Sequence, residues 1–270
     1  MKRSVVGVTA ASLVCASLLY AHDLFIKLDT YFLQPNTAVT VQVLNGTFAK
    51  SENWITRDRV ADISVVSPAG RTHVDTSHWS PSADSLTSLL ALRTSGPGTY
   101  VLGASTKGRD LHLEAESFNE YLRVDGIPDV LEARRQGGEL DQPAWERYAK
   151  HVKAVVQVGA GTTDHYGTIL GYPAEIVPLA NPYALSVGGT MRVRALVNGQ
   201  PVTNQLVLAG GQGRDAPIAE RELRTGADGT ASFPLTAAGR WYVKFINMVP
   251  VRGDSVTHES KWATITFQVR

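Results

Sequence analysis

Apolar and polar positions alternate with the period of a half-buried strand over much of the chain from residue 23 onward. Val39, Val41 and Val43 alternate with Thr40 and Gln42, and Asn45-Gly46 behind them reads as a turn. Short runs at Ile63 to Val66, Thr99 to Gly103 and Asp110 to Leu113 are set apart by the breaker clusters Ser67-Pro68-Ala69-Gly70 and Ser95-Gly96-Pro97-Gly98. In the second half Met191, Val193, Ala195 and Val197 alternate with Arg192, Arg194 and Leu196. Asn198-Gly199 then supplies a hairpin turn toward Gln205 to Leu208. Further strands are predicted at Ala231 to Leu235, Arg240 to Met248 and Trp262 to Val269, where Ala263, Ile265, Phe267 and Val269 share one face. Such punctuation predicts a mainly β chain built as β-sandwiches.

Between these regions the period changes. Ser117-Phe118-Asn119-Glu120 fits a capping box and predicts a short helix that stops near Gly126. Pro128 opens a second, ending at Gly137-Gly138. Trp145, Tyr148, Val152, Val155 and Val156 fall at helical spacing, with Glu146, Arg147, Lys150 and Lys153 largely on the other side, which predicts a third helix with His151 on its exposed face. Residues 115–160 are thus expected as a helical insert between an N-terminal sandwich, 22–114, and a C-terminal one, 161–270. Gly98-Thr99-Tyr100-Val101-Leu102 and Gly239-Arg240-Trp241-Tyr242-Val243 echo one another. The echo favours two immunoglobulin-like or transthyretin-like sandwiches over one large barrel.

The N-terminal pattern is of another kind. Lys2 and Arg3 precede an apolar run from Ser4 to Tyr20 that ends at Ala21, the order of a secretory signal peptide over residues 1–21. An uncleaved anchor is the competing use of such a run, but no stop-transfer flank follows it. Cleavage after Ala21 would make His22 the first residue, although Leu19 is bulkier than the residue usual at that position. Cys15, the only cysteine, would leave with the signal, and Val14 before it does not suit lipidation. The remaining chain would carry no disulfide and would rely on its core.

Charge then removes whole classes of partner. Taking Lys2 and Arg3 from 26 basic residues leaves 24 against 25 acidic ones, so no basic field exists to hold a nucleic acid. No second apolar segment approaches membrane length. The expected product is periplasmic or secreted, with no membrane span once the signal is removed.

An amino-terminal histidine offers its amine and a ring nitrogen to one metal ion, closing a chelate ring when both are unprotonated. One further donor would complete a copper or nickel site. His165, beside Asp164 and Tyr166, and His258, beside Glu259, lie in expected loops and are the leading partners, so the candidate metal ligands are His22, His165 and His258. His22 also has a plainer use, as the start of the first strand. His73 and His78 need a turn to meet, and His112 shares a polar strand face with Asp110 and Glu114. No nucleophile elbow, zinc-protease helix or phosphate loop is present, so no catalytic residue is assigned and the chain is not expected to be an enzyme. Gly210-Gly211-Gln212-Gly213 reads as a loop, and Asn45-Gly46-Thr47 matches a glycosylation acceptor that a tight turn explains equally well.

Five segments carry a resemblance: Ala21-His22-Asp23-Leu24-Phe25-Ile26, Phe118-Asn119-Glu120-Tyr121-Leu122, Glu146-Arg147-Tyr148-Ala149-Lys150, Glu175 through Tyr183, and Glu259 through Phe267. Together they make the chain similar to a bacterial secreted domain-of-unknown-function family grouped with periplasmic components of cobalt and nickel uptake systems. The resemblance implies a histidine just after the signal, matched by His22. It also implies a histidine before a late methionine, where this sequence has Asn247 ahead of Met248. The implied function is a non-catalytic periplasmic protein that binds nickel, cobalt or copper, with a metal-uptake membrane component as partner. The alternative is an extracytoplasmic interaction module that binds a protein or envelope polymer without metal.

Overall fold

The computed structural model describes residues 22–270, so the expected signal segment and its cleavage after Ala21 lie outside the described residues. The described residues are mainly β, in three sheets with two α-helices. Its spine is the strand Ala144–Val158. This strand runs parallel to His258–Val269 on one side. On the other it pairs antiparallel with Arg109–Leu113 through its first residues and with Gly98–Thr106 through its last. Outward from there the ten-stranded sheet adds Val60–Ser67 and Gly70–His73 at one edge, and Gly239–Pro250, Leu206–Gly213 and Pro217–Arg224 at the other, while the short strand Phe32–Leu33 pairs parallel with the end of the spine.

A smaller sheet covers each face of the long one. The first contains Asp23–Lys27, Ala38–Gly46, Ser88–Arg93 and Trp79–Pro81. Its Leu24, Ile26, Val41 and Val43 pack with Val152, Ala154, Val156 and Val158 of the spine. The other contains Ala174–Pro178, Thr190–Val197, Gln200–Pro201 and Thr230–Pro234. Its Ile176, Met191, Val193 and Phe233 pack with Val155 and with Ala263, Ile265, Phe267 and Val269. Even-numbered spine residues therefore face one core and Val155 the other, as the strand period requires.

That double coverage explains the main correction: Trp145 to Val156 form a strand, not a third helix. A strand buried on both faces loses the polar alternation that marks a half-buried one, and its apolar positions then mimic helical spacing. His151, expected on an exposed helix face, is 2% exposed and shares a hydrogen bond of 2.8 Å with Ser105 Oγ. Glu146, Lys150 and Lys153, expected outside, are buried.

The other two helices are present. Helix α1 (Ala115–Val124) starts before the anticipated cap at Ser117, and Phe118, Tyr121 and Leu122 form its buried face. Helix α2 (Pro128–Gly137) begins at its proline and stops at Gly138, whose φ of 68° is left-handed. Two turn assignments change. Asn45 and Gly46 are the end of a strand, and the turn follows, with Thr47 N donating to Lys50 O at 2.9 Å. Asn45 is 6% exposed, so it offers no accessible glycan acceptor. The glycines Gly210 to Gly213 lie in a strand, where a Cβ on Gly211 would stand 2.3 Å from Arg240 O. The two echoing segments both begin strands at glycines of similar backbone, φ 150° at Gly98 and 152° at Gly239. Among the described residues no helix is long and apolar enough to cross a membrane.

Candidate functional site

The even face of the spine changes character along its length. From Val152 onward it is apolar core, but toward its start the same face presents Lys150, Tyr148 and Glu146. Those three line a cleft of about 470 Å³. Trp262, which pairs with Lys150 in register, continues the floor. His22, Asn45 and Asn53 form one wall, and Arg59 and Arg109 line another part.

His22 is held at the margin of this cleft. Its Nε2 lies 3.1 Å from Glu52 Oε2. Burial lowers the His22 pKa, Glu52 pulls it back up, and the Lys150 charge lowers it further. The His22 carbonyl accepts a hydrogen bond from Lys150 Nζ, which also donates to Asn45 Oδ1 at 3.1 Å. The Lys150 ammonium lies 5.1 Å from the Trp262 ring centre and 5.5 Å from that of Tyr148. Burial brings its pKa down to about 8 against the opposing pull of Asp23 and Asp125. Glu146 accepts from Tyr121 Oη at 2.9 Å and from Ser260 Oγ, and burial raises its pKa.

The other two predicted ligands sit elsewhere. His165 occupies the short turn Asp164–Gly167, its Nδ1 2.8 Å from Thr163 Oγ1. His258 begins its strand beneath α1, with its ring centre 5.0 Å from that of Phe118 and its Nδ1 2.9 Å from Thr257 Oγ1. Burial lowers its pKa, assisted by the Arg134 charge. Neither residue lines the cleft beside His22. Among the described residues no group of three or more His, Cys, Asp or Glu side chains is arranged to hold a metal ion. Asn247, at the position where the resemblance implies a histidine, donates to Gln205 Oε1 at 3.0 Å and lies outside the cleft.

Sequence reasoning missed Lys150, Tyr148, Glu146, Arg59 and Arg109 as a group. The signal that marks the first three is their period-two continuation of Val152, Ala154 and Val156, which the helical reading concealed.

Comparison with known proteins supplies a family and little else. The profile of a family described as a domain of unknown function (DUF4198) matches residues 19–248. No curated protein matches the chain. Among solved structures, the D0-D1 domain of intimin is 14% identical with a TM-score of 0.21, over 91% of this chain and 97% of that one. A Salmonella alpha-2-macroglobulin reacted with methylamine is 11% identical with a TM-score of 0.26, over 91% of this chain and 15% of the larger protein. A tetra-tandem repeat from the extending region of a large adhesion protein is 13% identical with a TM-score of 0.24, over 93% of this chain and 50% of that one.

Proposed function

Because the chain belongs to the DUF4198 family of domains of unknown function, which brings no activity with it, we propose a function from the site: a periplasmic or secreted, non-catalytic protein that binds a divalent transition-metal ion at His22. Nickel, cobalt and copper are the candidate ions, and the role is that of an accessory to a metal-uptake component of the membrane. The observation that carries it is the 3.1 Å contact between His22 Nε2 and Glu52 Oε2. A metal-bound imidazole is commonly oriented by a carboxylate on its second nitrogen. With Nε2 held in this way, Nδ1 is left for the metal, and peptidase cleavage after Ala21 would add the amine that closes the chelate. The burial that lowers the His22 pKa favours the neutral ring that metal binding needs.

The apolar run Ser4 to Tyr20 supports export. Two separate apolar layers, one on each face of the long sheet, support two immunoglobulin-like or transthyretin-like sandwiches that share that sheet, with α1 and α2 inserted between their strands. The test is isothermal titration of exported protein, its first residue checked by mass spectrometry, with nickel, cobalt and copper. One site is expected, lost in His22→Ala and weakened in Glu52→Gln. Undiminished binding by His22→Ala removes the site, and absence of metal binding by the wild-type protein leaves the metal-free interaction module as the better account.

A further inference from the structure

The cleft beneath His22 has a charge inventory that a bare metal ion does not explain. Among the described residues, none of its three permanent or near-permanent cations, Arg59, Arg109 and Lys150, forms an ion pair with a carboxylate. Its acidic lining is already engaged. Asp110 takes a two-pronged contact from Arg147 at 2.8 and 2.9 Å, and Glu146 is bonded to Tyr121 and Ser260. Asp23, which pulls on Lys150 from outside the cleft, is paired with Lys244 at 2.6 Å. The Asp125 and Glu146 charges also act on Lys150, but among the described residues no carboxylate contacts its ammonium. A buried ammonium with no carboxylate in contact is costly, and a fold keeps one chiefly where it has a use.

The unspent donors point the same way. An ammonium carries three N–H groups, and Lys150 Nζ directs one to the His22 carbonyl and one to Asn45 Oδ1, which leaves one over. Arg59 Nε is buried without a hydrogen-bond partner, while its guanidinium rests 5.6 Å from the centre of the Tyr148 ring. Arg109 is exposed on the neighbouring strand, opposite Tyr148 in register. Trp54, Tyr148 and Trp262 line the same cleft, the last two with their rings near these cations. A volume of about 470 Å³ falls within the range of roughly 300–1,000 Å³ usual for small-molecule sites.

We infer that this cleft binds a small organic carboxylate, its charge met by Lys150 with Arg59 and Arg109 and its body held among Trp54, Tyr148 and Trp262. Aromatic walls distinguish such a ligand from inorganic phosphate, for which the rings offer no contact of value. The inference is independent of the metal site and is tested without metal.

Purified protein in chelator-containing buffer is titrated calorimetrically with benzoate, phenylacetate and hexanoate, with benzamide as the neutral counterpart of benzoate and with inorganic phosphate. At least one carboxylate is expected to bind at a single site and to change tryptophan fluorescence. Benzamide, and the variants Lys150→Met and Arg109→Gln, are each expected to weaken binding by about tenfold or more. Arg109 is exposed, so its replacement leaves the fold intact and keeps the test decisive if Lys150→Met does not fold. Absence of carboxylate binding at millimolar concentration, equal binding of benzamide and benzoate, wild-type affinity in Arg109→Gln, or saturation by phosphate alone would each overturn it.

Discussion

Lys153 Nζ lies 2.9 Å from Glu175 Oε2 with both side chains 2% exposed, and this pair fastens the spine to the strand Ala174–Pro178. Glu175 is fully supplied, since it also accepts from the backbone N–H groups of Leu170, Gly171 and Tyr172 at 2.9, 2.6 and 2.9 Å. Removing one partner strands a buried charge. Glu175→Ala or Lys153→Ala alone is expected to cost about 3–5 kcal/mol in urea unfolding, and Lys153→Met with Glu175→Leu to cost less than the sum of the two single changes. Strict additivity in the double variant would refute the coupling.

Asp125 caps the end of α1 with its backbone N–H, which donates to Tyr121 O, and its buried carboxyl oxygen Oδ2 has no hydrogen-bond partner. Burial, aided by the Asp23 charge, pushes its pKa up to about 8. The unfolded value is about 3.9, so between those values the folded state holds the extra proton. Its stabilising contribution is complete below the unfolded value and is lost as pH rises toward 8. Asp125→Asn should therefore gain melting temperature over wild type progressively from pH 5 to pH 8. A constant difference across that window would show that the carboxyl does not titrate as described.

Gly211 sits in a strand where the neighbouring backbone leaves no room for a side chain, as its 2.3 Å virtual contact with Arg240 O shows. Gly211→Ala is expected to destabilise by about 1–3 kcal/mol, the usual cost of overpacking. Gly138→Ala tests a different effect, the left-handed φ of 68° at the end of α2. It should cost about 1 kcal/mol.

Arg134 is buried and ties the helices together. It donates to Asn119 Oδ1 at 3.0 Å and to the carbonyls of Glu139 and Gln142 at 2.6 and 2.7 Å. Its guanidinium stands 4.9 Å from the Phe118 ring centre. Arg134→Ala should cost more than the roughly 1.5–3 kcal/mol of one charged hydrogen bond. Hydrogen exchange should accelerate in α1 and α2 before the spine responds. Uniform acceleration would place Arg134 in the global unfolding unit instead.

Strands with one wet face were legible in the sequence. Val39 to Val43 and Met191 to Val197 kept their alternation, and α2 announced itself through Pro128 and Gly138. The final Trp262 to Val269 run is buried on both faces but stayed legible because Thr264 and Thr266 alternate with Ile265 and Phe267. The spine was illegible for a physical reason: Val152, Val155 and Val156 serve two cores at once, so period two disappears. The site went with it. Lys150 and Glu146 look like solvated helix decoration until the strand turns them inward, and their charge gave no hint of burial. His22 was the cleft residue put forward beforehand as a leading metal ligand, because the Ala21 junction drew attention to it rather than any spacing.

The parallel alignment of Ala144–Val158 with His258–Val269 joins residues more than a hundred positions apart. Parallel partners cannot be reached by a tight hairpin, so a long loop must close before the sheet gains anything from the pairing. Contact order is correspondingly high, which makes folding slow and late. Both small sheets lean on this seam, so neither half has a complete hydrophobic surface to fold against until His258–Val269 has docked, and unfolding in denaturant should be one cooperative event.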